Sequence, residues 1–298
     1  MDKKRPISLV LSSGGARGIA HIGVIEELEK LGYNITSVTG TSIGSVIGAF
    51  YACGQLSVYR DWVLDLSKTD IYRLMDFTLD SKGFIKGFKV FRELKKIIPD
   101  RDISELDIPF TAIATDIFNR NEIVLNKGSM YDAIRASVAI PGFITPYRSG
   151  KKEYFDGGLI NPMPLNKTII TNNEQIVAVN LNHWDPNFKP IDENEKKKEH
   201  QRFDFIINKW DSFIGTKLKK PQSTSQKAGM IKLFSEMFDL MQEQITSFHL
   251  QETPPDLLVK IPRNACNTFD FHKSRQLIEL GRTAVHKALE EENVKISQ

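Results

Sequence analysis

The chain has 298 residues, 41% hydrophobic and 26% charged, with a formal net charge of +3. This length can bury a substantial core as one large α/β unit or as a domain with a long insertion, and so balanced a charge argues against a nucleic-acid binder. Cys53 and Cys266 are too few and too isolated for a disulfide framework or a cysteine-rich metal site, and each reads as a small buried residue.

In chain order, Met1-Asp-Lys-Lys-Arg-Pro6 enters a strand directly, without the apolar core of a signal peptide, and no later run is long enough to span a bilayer. The expected compartment is the cytoplasm, with a peripheral membrane contact or export without a cleaved signal left open. The apolar run 7–11 predicts a first strand. It leads into Ser12-Ser13-Gly14-Gly15-Ala16-Arg17-Gly18 and then a helical pattern through Ile22, Ile25, Leu28 and Leu31. Strand, glycine-rich loop and helix together form a ready anion site, because loop and first-turn N–H groups lack intrahelical partners. A dinucleotide fingerprint fits poorly: Ser13 replaces its first glycine, and no acid ends the second predicted strand.

The β-branched stretch 35–39 predicts a second strand, followed by Gly40-Thr41-Ser42-Ile43-Gly44. This G-x-S-x-G run reads as a nucleophile elbow, with Gly40 and Gly44 giving room for a sharp strand-to-helix turn. The next helix carries Val46, Ile47, Ala49, Phe50 and Ala52, apolar nearly all round, and is expected to be central. Further strands are predicted over 110–116, 122–125 and 175–181; their alternation with helices implies a parallel or mixed sheet. Between them, Glu153-Tyr-Phe155-Asp156-Gly157-Gly158 is a short aromatic strand ending in a carboxylate. Two glycines after Asp156 let another backbone approach closely.

Taken together, the chain resembles the patatin-like phospholipases, lipid acyl hydrolases that use a Ser/Asp dyad without histidine. The likeness rests on Gly14-Gly15-Ala16-Arg17-Gly18, on Gly40-Thr41-Ser42-Ile43-Gly44, on Asp156-Gly157-Gly158, and on the block Asp132-Ala-Ile-Arg135-Ala-Ser-Val-Ala-Ile140-Pro141-Gly142, in the family's order. It covers residues 6 to about 182 and again about 256 to 290. Ser13, where many members have glycine, is a departure that touches the choice of oxyanion donors. The resemblance implies an α/β, three-layer fold with a central, mostly parallel sheet flanked by helices. It implies Ser42 as nucleophile, Asp156 as base, and N–H groups near Gly14, Gly15 and Ala16 as the oxyanion site within the loop that Arg17 and Gly18 complete. Phospholipids, lysophospholipids or other fatty-acyl esters become the expected substrates, with neither metal nor cofactor. The alternatives are an α/β-hydrolase-type esterase adding His183 to Ser42 and Asp156, and a noncatalytic lipid-surface binder. The other five histidines, His21 among them, are expected in solvated or capping positions.

The expected organisation is a core over 6–184, a charged loop and helical insertion over 185–252, and a final strand and helix over 253–292. Within the insertion, Phe203, Ile206, Ile207, Trp210, Phe213 and Ile214 share one helical face, and Ile231, Phe234, Phe238, Met241, Ile245 and Phe248 share another. Six lysines against one aspartate over 205–232 suit the first face to an anionic membrane. The heptad-like second suits packing on a partner helix, the protein's own or that of a second subunit in a homodimer. The insertion is expected to serve as lid, interfacial helix or dimer element.

Overall fold

Five parallel strands form the centre of the molecule: β1 (Arg5–Leu11), β2 (Tyr33–Thr41), β5 (Phe110–Asp116), β10 (Gln175–His183) and β11 (Leu257–Pro262), in the spatial order β11-β10-β1-β2-β5. The computed structural model describes residues 5–80, 83–170, 174–191 and 224–296. Three antiparallel strands complete this sheet at its far side: β6 (Asn121–Leu125), β8 (Tyr147–Ser149) and β9 (Lys152–Asp156). Shorter strands β3 (Phe77–Asp80), β4 (Gly83–Ile85) and β7 (Gly142–Ile144) make a separate three-stranded sheet.

The central strands are buried along most of their length because both sheet faces are covered. Alternation along β1 sends Ile7, Leu9 and Leu11 into a core shared with α1 (Ala20–Lys30), α2 (Ile43–Ala52) and α8 (Ser274–Ile296), and Val10 to the opposite face. There Met163 and Leu165 cover the sheet, with Leu250 of α7 (Thr224–Glu252) packed beside them. Ser8 and Ser37, on that second face, donate hydroxyl hydrogen bonds to Ile169 O, each at 2.7 Å, which satisfies polar groups that burial would otherwise penalise. Helices α3 (Leu56–Leu64), α4 (Lys68–Leu74) and α5 (Phe88–Ile97) lie between β2 and β5, and α6 (Met130–Ser137) follows β6. Both cysteines are buried, and neither forms a disulfide. Among the described residues no helix is long and apolar enough to cross a membrane.

Strand registers explain how the chain brings two distant residues together. Thr41 of β2 is opposite Ile113 of β5, and the next β5 residue, Ala114, is opposite Asp156. Since β6 occupies one edge of β5 over Ala112–Asp116, β9 must pair on the edge that β2 occupies as far as Ile113. Strand β5 therefore works as a ruler, setting Asp156 directly beyond the end of β2, where Ser42 begins the turn.

The segment with Phe203, Ile206, Ile207, Trp210, Phe213 and Ile214 lies outside the described residues. The second amphipathic segment is helical, as its spacing predicts; within this chain Phe238 and Ile245 are half-buried, and much of the remaining apolar face is exposed. Phe234, Met241 and Phe248 are 46%, 49% and 62% exposed, and Leu233, Met237 and Leu240 are more than half exposed beside them. The cause is that α7 turns a polar face inward. Gln242 and Thr246 are buried, Gln242 Nε2 donates to Gly158 O at 3.3 Å, Asn182 Nδ2 donates to Thr246 Oγ1 at 3.3 Å, and Arg263 pairs with Asp239 at 2.5 Å.

Candidate active site

Ser42 sits at the turn between β2 and α2 with φ 55° and ψ −125°, a backbone state that a non-glycine residue avoids at a cost of about 1–3 kcal/mol. Such strain persists only where the surroundings impose it, and here they do. Gly44 lies so close to β1 that a Cβ there would come within 2.2 Å of Leu11 O, and one on Gly40 would come within 2.4 Å of Gly44 O. The elbow can therefore be built only with glycine at both places. Gly44→Ala is expected to destabilise the fold by about 1–3 kcal/mol through overpacking, read as a lower denaturant midpoint, and to remove activity with it.

The strained turn lifts the Ser42 hydroxyl onto the carboxylate it faces. Ser42 Oγ donates to Asp156 Oδ2 at 2.5 Å, and Gly158 N–H donates to Asp156 Oδ1 at 2.7 Å. Asp156 is 1% exposed, and burial raises its pKa from the usual carboxylate range to about 7, against the lowering effect of the Ser42 and Gly158 hydrogen bonds. That value suits a group that must accept a proton near neutrality. The backbone is fixed as well: Thr115 Oγ1 donates to Asp156 O at 2.9 Å, and Asp156 N–H donates to Ala139 O at 2.9 Å. Gly157 packs against β5, where a Cβ would lie 2.3 Å from Ile113 O, and Gly158 lies against Gln242 of α7.

The glycine loop follows β1 into a 3-10 turn, Gly15–Ile19, with Gly15 at φ 57°. It lies beside the start of α2, because a Cβ on Gly18 would overlap the Ile43 side chain. Its donors divide into two groups. Ser13 N–H donates to Pro162 O and Ala16 N–H donates to Thr268 O, both at 2.8 Å, whereas the N–H groups of Gly14 and Gly15 donate to no protein acceptor among the described residues. Ala16 is thus removed from the expected oxyanion donors by a bond that anchors the loop. Arg17 is buried and points inward, with Nε on Gly14 O at 3.0 Å and Nη1 on Arg263 O at 2.9 Å; burial lowers its pKa. It braces the loop from behind.

Two histidine expectations change. His21 is fully buried, not solvated or capping. Its Nε2–H donates to Ser12 O at 3.1 Å, and burial lowers its pKa to about 4, so it stays neutral under the loop. His183 ends β10, but its charged neighbours are Lys260, Asp185, Lys287 and Glu243, and burial with Lys260 lowers its pKa. The Ser42 hydroxyl donates to Asp156 with no imidazole between them. A Ser-His-Asp arrangement through His183 is not built, and His183→Ala is expected to leave ester hydrolysis within about twofold of wild type, since removal of a true general base costs a hundredfold or more.

Of the residues that hold the site's backbone, Ser137 and Ala139 fall within the 132–142 block without a role assigned from sequence, and Thr268 and Gln242 were not singled out at all. Their roles depend on packing between elements far apart in the chain, and no local spacing announces them.

Comparison with known proteins shows the family. Residues 9–169 match the family model for patatin-like phospholipases. An uncharacterized NTE family protein of Mycobacterium tuberculosis is 29% identical over 330 residues, covering 95% of this chain and 91% of that relative. Patatin-like phospholipase domain-containing protein 6 of Mus musculus is 31% identical over 186 residues, covering 60% of this chain but 14% of its own length. The crystal structure of VipD from Legionella pneumophila is similar in fold, with a TM-score of 0.51 at 14% identity over 97% of this chain and 67% of that one. The chain belongs to the patatin-like phospholipase family of lipid acyl hydrolases, which act on ester bonds.

Proposed function

We propose that the chain is a serine hydrolase cleaving the carboxylic ester bonds of phospholipids or lysophospholipids through a Ser42/Asp156 dyad and an acyl-enzyme intermediate. The observation that carries this reading is the direct 2.5 Å hydrogen bond from Ser42 Oγ to the buried Asp156 carboxylate. Asp156 takes the Ser42 proton as the hydroxyl attacks the ester carbonyl. The N–H groups of Gly14 and Gly15, which donate to no protein acceptor among the described residues, stabilise the oxyanion, each such donor being worth roughly 3 kcal/mol. The proton then passes from Asp156 to the departing alcohol. In the second half-reaction Asp156 takes a proton from water as its oxygen bonds the acyl carbon, the acyl–Ser42 bond breaks, the proton returns from Asp156 to Ser42 Oγ, and a fatty acid is released. The test is product analysis on a panel of phospholipids, lysophospholipids and short-chain esters. Release of free fatty acid from the lipids is the expected result; acyl transfer to another alcohol, or binding without turnover, would contradict it.

The base must be ionised to act. With its pKa at about 7, kcat/KM should fall about tenfold per pH unit below that value and level off above it, the reverse of what an obligatory acid would give. A profile already flat down to pH 5 would be inconsistent with a buried Asp156 as the base.

The outward apolar stripe of α7 supports action at a lipid surface, because the same helix touches the Asp156 turn through Gln242. Burying the exposed half of Met237 and of Leu240 in lipid is worth about 1 kcal/mol each. The double substitution Met237→Glu/Leu240→Glu should therefore reduce hydrolysis of vesicle phospholipid by about tenfold or more while hydrolysis of a soluble ester is unchanged. A halved mass on size exclusion would instead assign the stripe to a homodimer.

A further inference from the structure

We propose that Ser137, the last residue of α6, is a positioning residue that sets the nucleophile against its base. Its side chain is fully buried, and its hydroxyl makes two hydrogen bonds at once: Oγ accepts the Ser42 N–H at 2.9 Å and donates to Ile113 O at 2.6 Å. A hydroxyl has one proton to give and lone pairs to spare, so serine can bridge a backbone donor and a backbone acceptor in this way, and alanine cannot.

The position of that bond gives it leverage. Ser42 is past the last β2–β5 pair at Thr41 and Ile113, and it precedes the first residue of α2. Its N–H therefore belongs to neither ladder nor helix, at the residue whose backbone is strained at φ 55°. Ser137 supplies the acceptor. Two residues later Ala139 O accepts the Asp156 N–H at 2.9 Å, so a single short segment grips the backbone of both partners. Ile113 O, which takes the Ser137 proton, also faces Gly157 beside the base. The Ser42–Asp156 distance is thus fixed through β5 and the end of α6 together, not by the two side chains alone.

This inference rests on the dyad reading, and its experiment separates the two. Purified wild type, Ser137→Ala and Ser137→Thr are compared on a soluble p-nitrophenyl ester, with melting temperature and circular dichroism recorded for each. Misplacing a reacting group by a fraction of an ångström is costly, so Ser137→Ala should lose about tenfold to hundredfold in kcat with KM nearly unchanged. Its acid limb should also move to higher pH, because the hydrogen bond from Ser42 that holds the Asp156 pKa down is weakened. Ser137→Thr, which restores the hydroxyl, should recover most of the loss. If Ser137→Ala does not fold, Ser137→Cys, similar in size but a weak acceptor, should show the same kcat loss and limb shift in smaller degree. Full kcat in Ser137→Ala, or a loss that leaves the acid limb in place and is not recovered by threonine, would overturn the positioning role. An inactive wild type would overturn the dyad reading instead.

Discussion

Ser42→Ala should abolish ester hydrolysis, with kcat reduced by at least about 10⁴-fold, while the protein remains folded. No other described hydroxyl donates to Asp156: its two oxygens are engaged by Ser42 Oγ and Gly158 N–H. Removing Oγ removes the attacking atom and leaves nothing in its place. The backbone at this position retains its strained angles, and the bond from its N–H to Ser137 does not involve the lost atom. Circular dichroism and melting temperature should thus match wild type closely. The Asp156 carboxyl, deprived of the hydrogen bond that lowered its pKa, should titrate at still higher pH in the variant. Retention of even a tenth of wild-type turnover would remove Ser42 from the mechanism.

Asp156→Asn should be the second most damaging substitution, lowering kcat by about 10²–10⁴-fold. The amide is nearly isosteric and can keep the Gly158 N–H bond through its carbonyl oxygen, but it cannot accept the Ser42 proton. Stability is expected to move the other way. Because burial raises the carboxyl's pKa to about 7 from an unfolded value near 3.9, the folded state binds more protons between those limits, and Asp156 lowers stability as pH rises through that window. Asparagine carries no such penalty. The variant should therefore be at least as stable as wild type at pH 8, a combination of intact fold and lost turnover that denaturant melts and steady-state kinetics can read together.

Much of the site was legible because acyl transfer imposes local chemistry on local sequence. The elbow required glycines around Ser42, and Gly44 does lie within a Cβ's clash distance of Leu11 O. The apolar run of β5 was visible as a buried strand over its full length, Phe110–Asp116. Adjacency of Ser42 and Asp156 was not legible from spacing, since it depends on the register of β2 and β9 along β5. The resemblance supplied it. Ala16 shows the limit in another way: the glycine loop announces an anion site, but which N–H groups remain available depends on Thr268, more than two hundred residues away. His21 was misread because a histidine near a helix start is ordinarily exposed, whereas this one lies under the loop and bonds Ser12 O. Helix α7 was predicted from its stripe, and only its packing revealed that the polar side faces inward, through Gln242 and Thr246.

The central claim is that Ser42 is a nucleophile activated by Asp156 without histidine. The most direct measurement is the rate of covalent labelling by a fluorophosphonate, with the modified peptide mapped by mass spectrometry in wild type, Asp156→Asn and His183→Ala. The account predicts a single phosphonylated residue, Ser42, labelled at equal rates in wild type and His183→Ala and about a hundredfold more slowly in Asp156→Asn. Label on a different residue, or a His183→Ala rate as low as that of Asp156→Asn, would contradict it.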